Sequence, residues 1–214
     1  IAQYETEDII EAVVDLAEEY DIMVHGHLAE SQHEVEYTLK TWGCRPFEWF
    51  KRHRLLGKRF YFAHCIHLNE EEIAQMAETG TGVAHCPISN MLLSSGACPV
   101  PSYLEHGLTR IGLGVDGAAS SNSSNMLEEI RCAYLLNRLT WGDKAATPDD
   151  YLYMATAGGA KVLGRDDIGY LAPGMAADFA QMDWNQLTYA GGCYDPVACI
   201  VESGDPRLVK NVVV

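Results

Sequence analysis

Four short apolar stretches of this chain alternate with segments of helical periodicity, and this alternation limits the possible folds more than any other feature. The pattern predicts strands at residues 22–28, 59–65, 81–85 and 109–116, with amphipathic helices before and between them. Strands that are separated by helices pair in parallel through right-handed crossovers. The sequence therefore predicts an α/β fold built on a parallel sheet.

Capping residues mark several of the predicted helix boundaries. A Ser, Thr or Asn side chain can accept a hydrogen bond from a free N–H group of the first helical turn, and glycine favours the left-handed conformation at a helix end. Start signals of this kind are Ser31, Asn69 and Thr147, and stop signals are Gly43 and Gly80. The segments around Pro46 and at 117–125 are predicted as loops.

Each predicted strand ends at a residue that can bind a metal ion or transfer a proton. These residues are His27, which is followed by Glu30, and then His64, His85 and Asp116. Barrel enzymes carry their chemistry at the carboxyl ends of successive strands, whereas an open doubly wound sheet typically has a Gly-rich phosphate loop. The sequence has no such loop, so the pattern favours half of a (β/α)₈ TIM barrel.

These residue types suit a zinc hydrolase. Zinc binds neutral imidazoles and carboxylates, and His27 and Asp116 are the predicted ligands. Glu30 is placed to take a proton from the attacking water and pass it to the leaving group. His64 could polarise the attacked atom or hold the water, and His85 could contact the substrate.

Structural roles compete with these assignments, because a single histidine at a strand end is more often structural than catalytic. That interpretation is kept for the other histidines, which are His25, His33, His53, His67 and His106. Two alternatives stay open: His25 and His27 could bind a metal as a pair, and Asp116 before Gly117 could simply begin a turn. The occurrence of such residues at four successive strand ends favours a functional site.

Composition excludes some partners. Asp and Glu outnumber Lys and Arg by 30 to 15, which argues against nucleic acid as a partner because phosphate binding requires clustered basic residues. No apolar run is long enough for a membrane span. Seven cysteines at irregular spacing, without a Cys-x-x-Cys pair, indicate reduced thiols and a cytoplasmic protein.

Several motifs, in order along the chain, resemble those of the amidohydrolase superfamily, in particular its branch of deaminases and chlorohydrolases that act on nitrogen heterocycles. The motifs are His27-Leu28-Ala29-Glu30, Ala63-His64-Cys65-Ile66-His67-Leu68, His85-Cys86-Pro87-x-Ser89-Asn90, Gly114-Val115-Asp116-Gly117-Ala118-Ala119-Ser120 and Leu171-Ala172-Pro173-Gly174-Met175-Ala176-Ala177-Asp178.

The resemblance implies roles for individual residues. His27 and Asp116 would bind Zn²⁺, with Fe²⁺ as an alternative metal, and Glu30 would be the proton shuttle. His64 would be catalytic together with Glu30 and Asp116, and Ser120 would lie near the substrate. The implied reaction is hydrolytic deamination of a purine-like nitrogen heterocycle. Alternatives are a triazine-type chlorohydrolase or N-alkylaminohydrolase, and an inactive or structural fragment.

The resemblance also implies a domain organisation. Residues 1–165 would form the C-terminal half of the barrel, and residues 166–214, with strands at 177–182 and 208–214, would form part of a small β-sandwich. The His-x-His pair that the family carries on its first barrel strand has no counterpart here. We therefore expect the chain to be the C-terminal portion of a longer protein, which is expected to form a homo-oligomer.

Overall fold

A four-stranded parallel sheet lies at the centre of the protein in its computed structural model, which describes residues 6–214 apart from the side chain of Cys193. The strands follow one another across the sheet in chain order, which confirms the predicted α/β class. They are β1 (Val24–Leu28), β2 (Phe60–His64), β3 (Gly82–His85) and β4 (Ile111–Leu113).

Helices precede, connect and follow these strands. They are α1 (Glu7–Glu19), α2 (Gln32–Trp42), α3 (Pro46–Arg52), α4 (Glu70–Thr79), α5 (Pro87–Leu92), α6 (Val100–Glu105), α7 (Ala118–Ser121), α8 (Met126–Trp141), α9 (Pro148–Tyr153), α10 (Gly159–Val162) and α11 (Pro196–Ser203). A π-helical segment, Met154–Gly158, joins α9 to α10, and short 3₁₀ turns lie at Gly142–Lys144, Leu187–Tyr189, Gly192–Tyr194 and Pro206–Leu208.

The predicted caps form as the local chemistry requires. Ser31 Oγ accepts the N–H of Glu34 at the start of α2, and Asn69 and Thr147 each form a reciprocal capping box with the third residue of their helices. Gly43 and Gly80 end α2 and α4 in the left-handed conformation, with φ of 68° and 71°. These short-range bonds explain why the helix boundaries could be predicted.

Three segments differ from the sequence prediction. The predicted loop around Pro46 is wrong, because α3 forms there, begins with that proline and buries Phe47 and Phe50. The predicted loop at 117–125 contains the single turn α7. Strand β4 covers only three residues, and one further bond to β3, from the N–H of Gly114 to the carbonyl of His85, follows its last paired residue.

The hydrophobic core holds the sheet against its helices. Phe62 of β2 is 2% exposed and packs on Phe50 of α3, with 4.9 Å between the ring centres. Other fully buried core residues are Leu28, Phe47, Ile73, Met76, Tyr103 and Ile111. This packing fixes the strands that carry the polar residues at their carboxyl ends.

The last part of the chain forms a separate two-stranded antiparallel sheet. Its strands are β5 (Phe179–Met182) and β6 (Val209–Val213), close to the predicted positions. Most of their residues are exposed. Of the helices in residues 6–214, none has the length and apolar character that a bilayer crossing requires.

Candidate active site

His27, His64 and Asp116 converge at the carboxyl edge of the parallel sheet. One side-chain donor atom of each residue lies within 4.8 Å of the others. The strand register explains part of this arrangement, because Leu28 pairs with His64 and so places the ends of β1 and β2 side by side. Two of the three residues are the metal ligands predicted from the sequence.

Left-handed backbone conformations occur at three of these strand ends. Ala29, His64, Cys65 and Asp116 have φ of 49°, 68°, 48° and 59°. Non-glycine residues adopt this region at a cost of about 1–2 kcal/mol each, and they persist there only where the surroundings hold them. At β2, the hydroxyl of the buried Tyr103 donates to the Cys65 carbonyl at 2.5 Å, and the N–H of Cys65 donates to the Leu28 carbonyl.

The hydrogen bond between His64 and Asn90 determines which His64 nitrogen faces the site. His64 Nδ1 lies 2.7 Å from Asn90 Oδ1, and because an amide oxygen only accepts, Nδ1 carries the proton. Nε2 is therefore the nitrogen that faces the site, 3.7 Å from Glu30 Oε2 and 3.8 Å from Asp116 Oδ2. This nitrogen is buried and has no hydrogen-bond partner within residues 6–214.

Three hydrogen bonds orient the Asp116 carboxylate. Its Oδ2 accepts from Ser89 Oγ at 2.5 Å and from Ser120 Oγ at 3.1 Å, and its Oδ1 accepts from the N–H of Gly117 at 2.7 Å. Burial acts to raise the pKa of Asp116, but these bonds and the nearby His64 outweigh it and lower the pKa. The residue is thus a carboxylate ready to bind a cation.

Glu30 is held through its backbone. The N–H of Glu30 donates to Glu34 Oε2 at 2.9 Å, and Glu34 is 1% exposed. Burial raises the pKa of Glu34, although hydrogen bonds from the backbone of Glu30 and Ala29 act to lower it. The Glu30 side chain itself stays 17% exposed, so it can reach both the site and solvent.

The two histidines predicted as ligand and substrate contact are both neutral at neutral pH. Burial, with a smaller contribution from His64, lowers the pKa of His27. The same two causes lower the pKa of His85 to about 3. His85 is only 2% exposed, and its Nδ1 has no partner in the described chain. His27 can therefore donate a lone pair to a metal without first losing a proton.

The remaining predicted contacts lie close to Asp116 or outside the site. Ser120, predicted near the substrate, directs its hydroxyl to Asp116 and to the Gly117 carbonyl. His25 stacks on Tyr61 at 4.6 Å, and it is not part of the candidate metal group found in residues 6–214. His67 has a structural role, since its Nε2 is 2.8 Å from the Ser95 carbonyl.

The donor set fits a zinc ion. Two zinc–ligand bonds end to end span about 4 Å, so small side-chain rotations suffice to bring donors within 4.8 Å of one another onto one ion. His64 Nε2 lies within 4 Å of the carboxylates of Glu30 and Asp116, and it makes no hydrogen bond to any of the described residues. Such a convergence of acceptors is stabilised by a cation.

Sequence reasoning missed the residues behind the site. Ser89 and Asn90 bind Asp116 and His64, and Glu34 binds the backbone of Glu30. Their signal in the sequence was weak. Ser89 and Asn90 stand in the motif that follows His85, and polar residues next to a proline at a helix start are usually caps.

The chain belongs to the amidohydrolase family, whose family model matches residues 2–214. Among curated proteins it is similar to 8-oxoguanine deaminase from Pseudomonas aeruginosa, with 43% identity over 196 residues. That match covers 92% of this chain and 43% of the relative. The chain spans about half the length of the curated relatives it matches.

Solved structures of zinc enzymes share this fold. An adenosine deaminase from Xanthomonas campestris with bound zinc superposes with a TM-score of 0.93 at 32% identity, covering 98% of this chain and 48% of that one. Atrazine chlorohydrolase from Arthrobacter aurescens, complexed with zinc, superposes with a TM-score of 0.92 at 30% identity, covering 98% and 46%.

Proposed function

We propose that the protein is a zinc-dependent aminohydrolase that releases ammonia from a purine-like nitrogen heterocycle, with 8-oxoguanine as the first substrate to test. The observation that carries the proposal is the convergence of His27, His64 and Asp116 beside Glu30 at one edge of the sheet. The similarity to 8-oxoguanine deaminase supports the substrate class.

Zinc would be held by His27 and Asp116, with Fe²⁺ as the alternative metal. A bound divalent ion supplies a Lewis acid that activates water for attack at neutral pH. The neutral imidazole of His27 and the ionised carboxylate of Asp116 are the forms that a metal requires, as the lowered pKa values of both groups indicate.

Glu30 and His64 would act on the water and the substrate. A water molecule between Glu30 Oε2 and His64 Nε2, which lie 3.7 Å apart, can donate a hydrogen bond to each. Glu30 would take a proton from this water as the water oxygen bonds to the amino-bearing ring carbon, and would deliver it to the heterocycle. Transfer of the remaining hydroxyl proton of the adduct to the amino group would then break the C–N bond and release ammonia. His85 and Ser120 are the proposed substrate contacts, and the low pKa of His85 limits it to neutral hydrogen bonding.

The same proposal includes the architecture of the whole protein. Residues 1–165 would form the C-terminal half of a (β/α)₈ barrel, and residues 166–214 would belong to a small β-sandwich. Edge strands β1 and β4 of the described sheet would then pair with further strands. We also propose a cytoplasmic homo-oligomer.

A second candidate function is hydrolysis of a chloro or alkylamino substituent on a triazine. The observation that favours it is the close superposition with atrazine chlorohydrolase. Both reactions replace a ring substituent with water-derived oxygen, so the same site chemistry serves either. A third candidate, an inactive structural fragment, predicts zinc well below one ion per chain and no turnover.

Substitution Glu30→Gln in the complete protein tests the proposal. It removes the proton carrier while keeping size and polarity, and we expect ammonia release to fall about 10²–10⁴-fold with zinc content unchanged. The substrates are 8-oxoguanine, adenosine and atrazine, and Glu36→Gln, an exposed change on α2, is the matched control. Parental rates in Glu30→Gln, or turnover of atrazine alone, would contradict the proposed deamination.

A further inference from the structure

We propose that Ser89 and Asn90, two neighbouring residues of α5, are positioning residues that orient Asp116 and His64 for the site. The inference rests on the proposed function, since the site it serves is the one described above. It assigns to one short helix the control of two side chains that come from different strand ends.

Ser89 fixes the carboxylate. It is fully buried, and its Oγ donates to Asp116 Oδ2 at 2.5 Å. Ser89 is the third residue of α5, so no complete helical turn precedes it, and its hydroxyl bonds to a carboxylate from a different strand end. With Gly117 N–H on Oδ1, the bond to Ser89 on Oδ2 sets the rotation of the carboxylate.

Asn90 fixes the imidazole. It is also fully buried, and its Oδ1 accepts the Nδ1 proton of His64 at 2.7 Å. This bond sets the ring orientation, and with a proton on Nδ1 it places Nε2 towards Glu30 and Asp116. Among the described residues, Asn90 Oδ1 is paired with His64, whereas Asn90 Nδ2 is buried without a partner.

Helix α5 is itself anchored. The N–H of Asn90 donates to the Cys86 carbonyl, and the Asn90 carbonyl accepts from the N–H of Ser95 at 2.8 Å. At its start, the N–H of Ile88 donates to Glu129 Oε2 of α8 at 3.1 Å. Because its start is bonded to α8 and its end is closed by the bond from Ser95, the helix can hold two site residues at once.

The experiment compares variants in the complete protein by metal binding and by NMR. Ser89→Ala should weaken zinc binding about 10–100-fold in a chelator competition, and Ser89→Thr should restore most of it. Asn90→Leu should lower turnover by a similar factor. It should also change the ¹⁵N shifts of His64 from those of the Nδ1-protonated tautomer to those of a mixture.

Two controls match these changes outside the site. Ser102 donates to the exposed carboxylate of Glu70, and buried Asn137 accepts the N–H of Ala146, so Ser102→Ala and Asn137→Leu remove equivalent bonds. Both controls should keep parental zinc affinity and His64 shifts. If they reduce zinc affinity as much as Ser89→Ala does, the effect is loss of packing and the positioning role is wrong.

The outcomes separate this inference from the proposed function. Unchanged zinc affinity in Ser89→Ala together with an unchanged His64 tautomer in Asn90→Leu would overturn the positioning role, whatever the substrate is. A parent protein that binds zinc but deaminates none of the substrates would overturn the proposed function. The zinc and NMR measurements would still decide the role of α5 in that case.

Discussion

The two ends of the parallel sheet satisfy their polar groups in opposite ways. At the amino end, Arg59, Thr81 and Arg110 immediately precede β2, β3 and β4, and each makes hydrogen bonds that tie elements together. At the carboxyl end, His64 and His85 are the last residues of β2 and β3, and each keeps a buried nitrogen without a partner in the part of the chain that the structure describes.

Arg110 illustrates the amino end. Its guanidinium donates to the carbonyl of Gly80 after α4 and to those of Lys161 and Val162 in α10, the last two at 2.9 Å. A cation at helix C-termini satisfies carbonyls that no helical N–H can reach. This end is therefore built for stability.

At the carboxyl end, several buried polar atoms have no hydrogen-bond partner among the described residues. Of seven buried side-chain atoms without a partner in residues 6–214, six belong to residues at or behind the site, and one belongs to Tyr151 of α9. The six residues are Glu34, His64, His85, Asn90, Ser121 and Glu129. Buried polar atoms without partners are costly, so their concentration at one end indicates that this end is not optimised for stability alone.

The largest effect that would sharpen this contrast is loss of the proposed carboxylate ligand, Asp116. Asp116→Asn keeps the size and tolerates the left-handed backbone, but it removes the negative charge. We expect zinc affinity to fall on the order of 10³-fold, beyond the 10–100-fold typical of residues behind a ligand. Chelator competition measures this, with exposed Asp143→Asn as control, and parental affinity would mean that Asp116 is no ligand.

At the amino end of the sheet, we expect a substitution to lower the free energy of unfolding without changing zinc affinity. Arg110→Leu leaves the carbonyls of Gly80 and Val162 without their donor, while that of Lys161 keeps the N–H of Gly164, and the free energy of unfolding should fall by about 2 kcal/mol in urea titrations. Zinc affinity per folded molecule should not change. Arg138→Leu, which removes one exposed bond to the Gly142 carbonyl, should cost less than about 0.5 kcal/mol. A large loss of zinc affinity in Arg110→Leu would contradict the contrast between the two ends of the sheet.

The smallest effect concerns Glu129 and pH. Burial is the main cause that raises the pKa of Glu129 to about 7. A raised pKa means that the folded state binds the proton more tightly. The contribution of Glu129 to the free energy of unfolding is therefore complete below the unfolded pKa near 4.5, and it is lost as pH rises through 7.

Glu129→Gln should flatten this dependence while keeping an acceptor for the N–H of Ile88. The free energy of unfolding of the parent should decline relative to the variant by on the order of 2 kcal/mol between pH 5 and pH 8. Exposed Glu128→Gln should follow the parent. Parallel curves for the parent and Glu129→Gln would show that Glu129 keeps an ordinary pKa.

The sequence is sufficient to predict those features of the fold and the site that arise from local interactions and from the alternation of strands and helices. Ser31, Asn69 and Thr147 cap their helices through bonds within three residues, and the residues at the strand ends meet because parallel strands end on the same side of a sheet. His27 and Asp116 could therefore be predicted to lie together although they are far apart in the chain.

The rest depends on tertiary packing. Leu135 of α8 is 50% exposed although leucine favours the core, whereas Glu129 of the same helix is fully buried and binds the N–H of Ile88 in α5. Helix α3 is only seven residues long, too short for its periodicity to be read. The roles proposed for Ser89 and Asn90 could not be predicted, because the sequence does not show which face of α5 points towards the site.

The left-handed residues at the strand ends also limit how this protein can be engineered. Ala29 and Cys65 would relax if replaced by glycine, yet such relaxed turns would hold Glu30 and His64 less firmly. Selection for heat resistance and selection for turnover should therefore favour different residues at these two positions. Thermostable variants that retain full activity should carry their substitutions elsewhere, above all on the exposed surfaces of the helices.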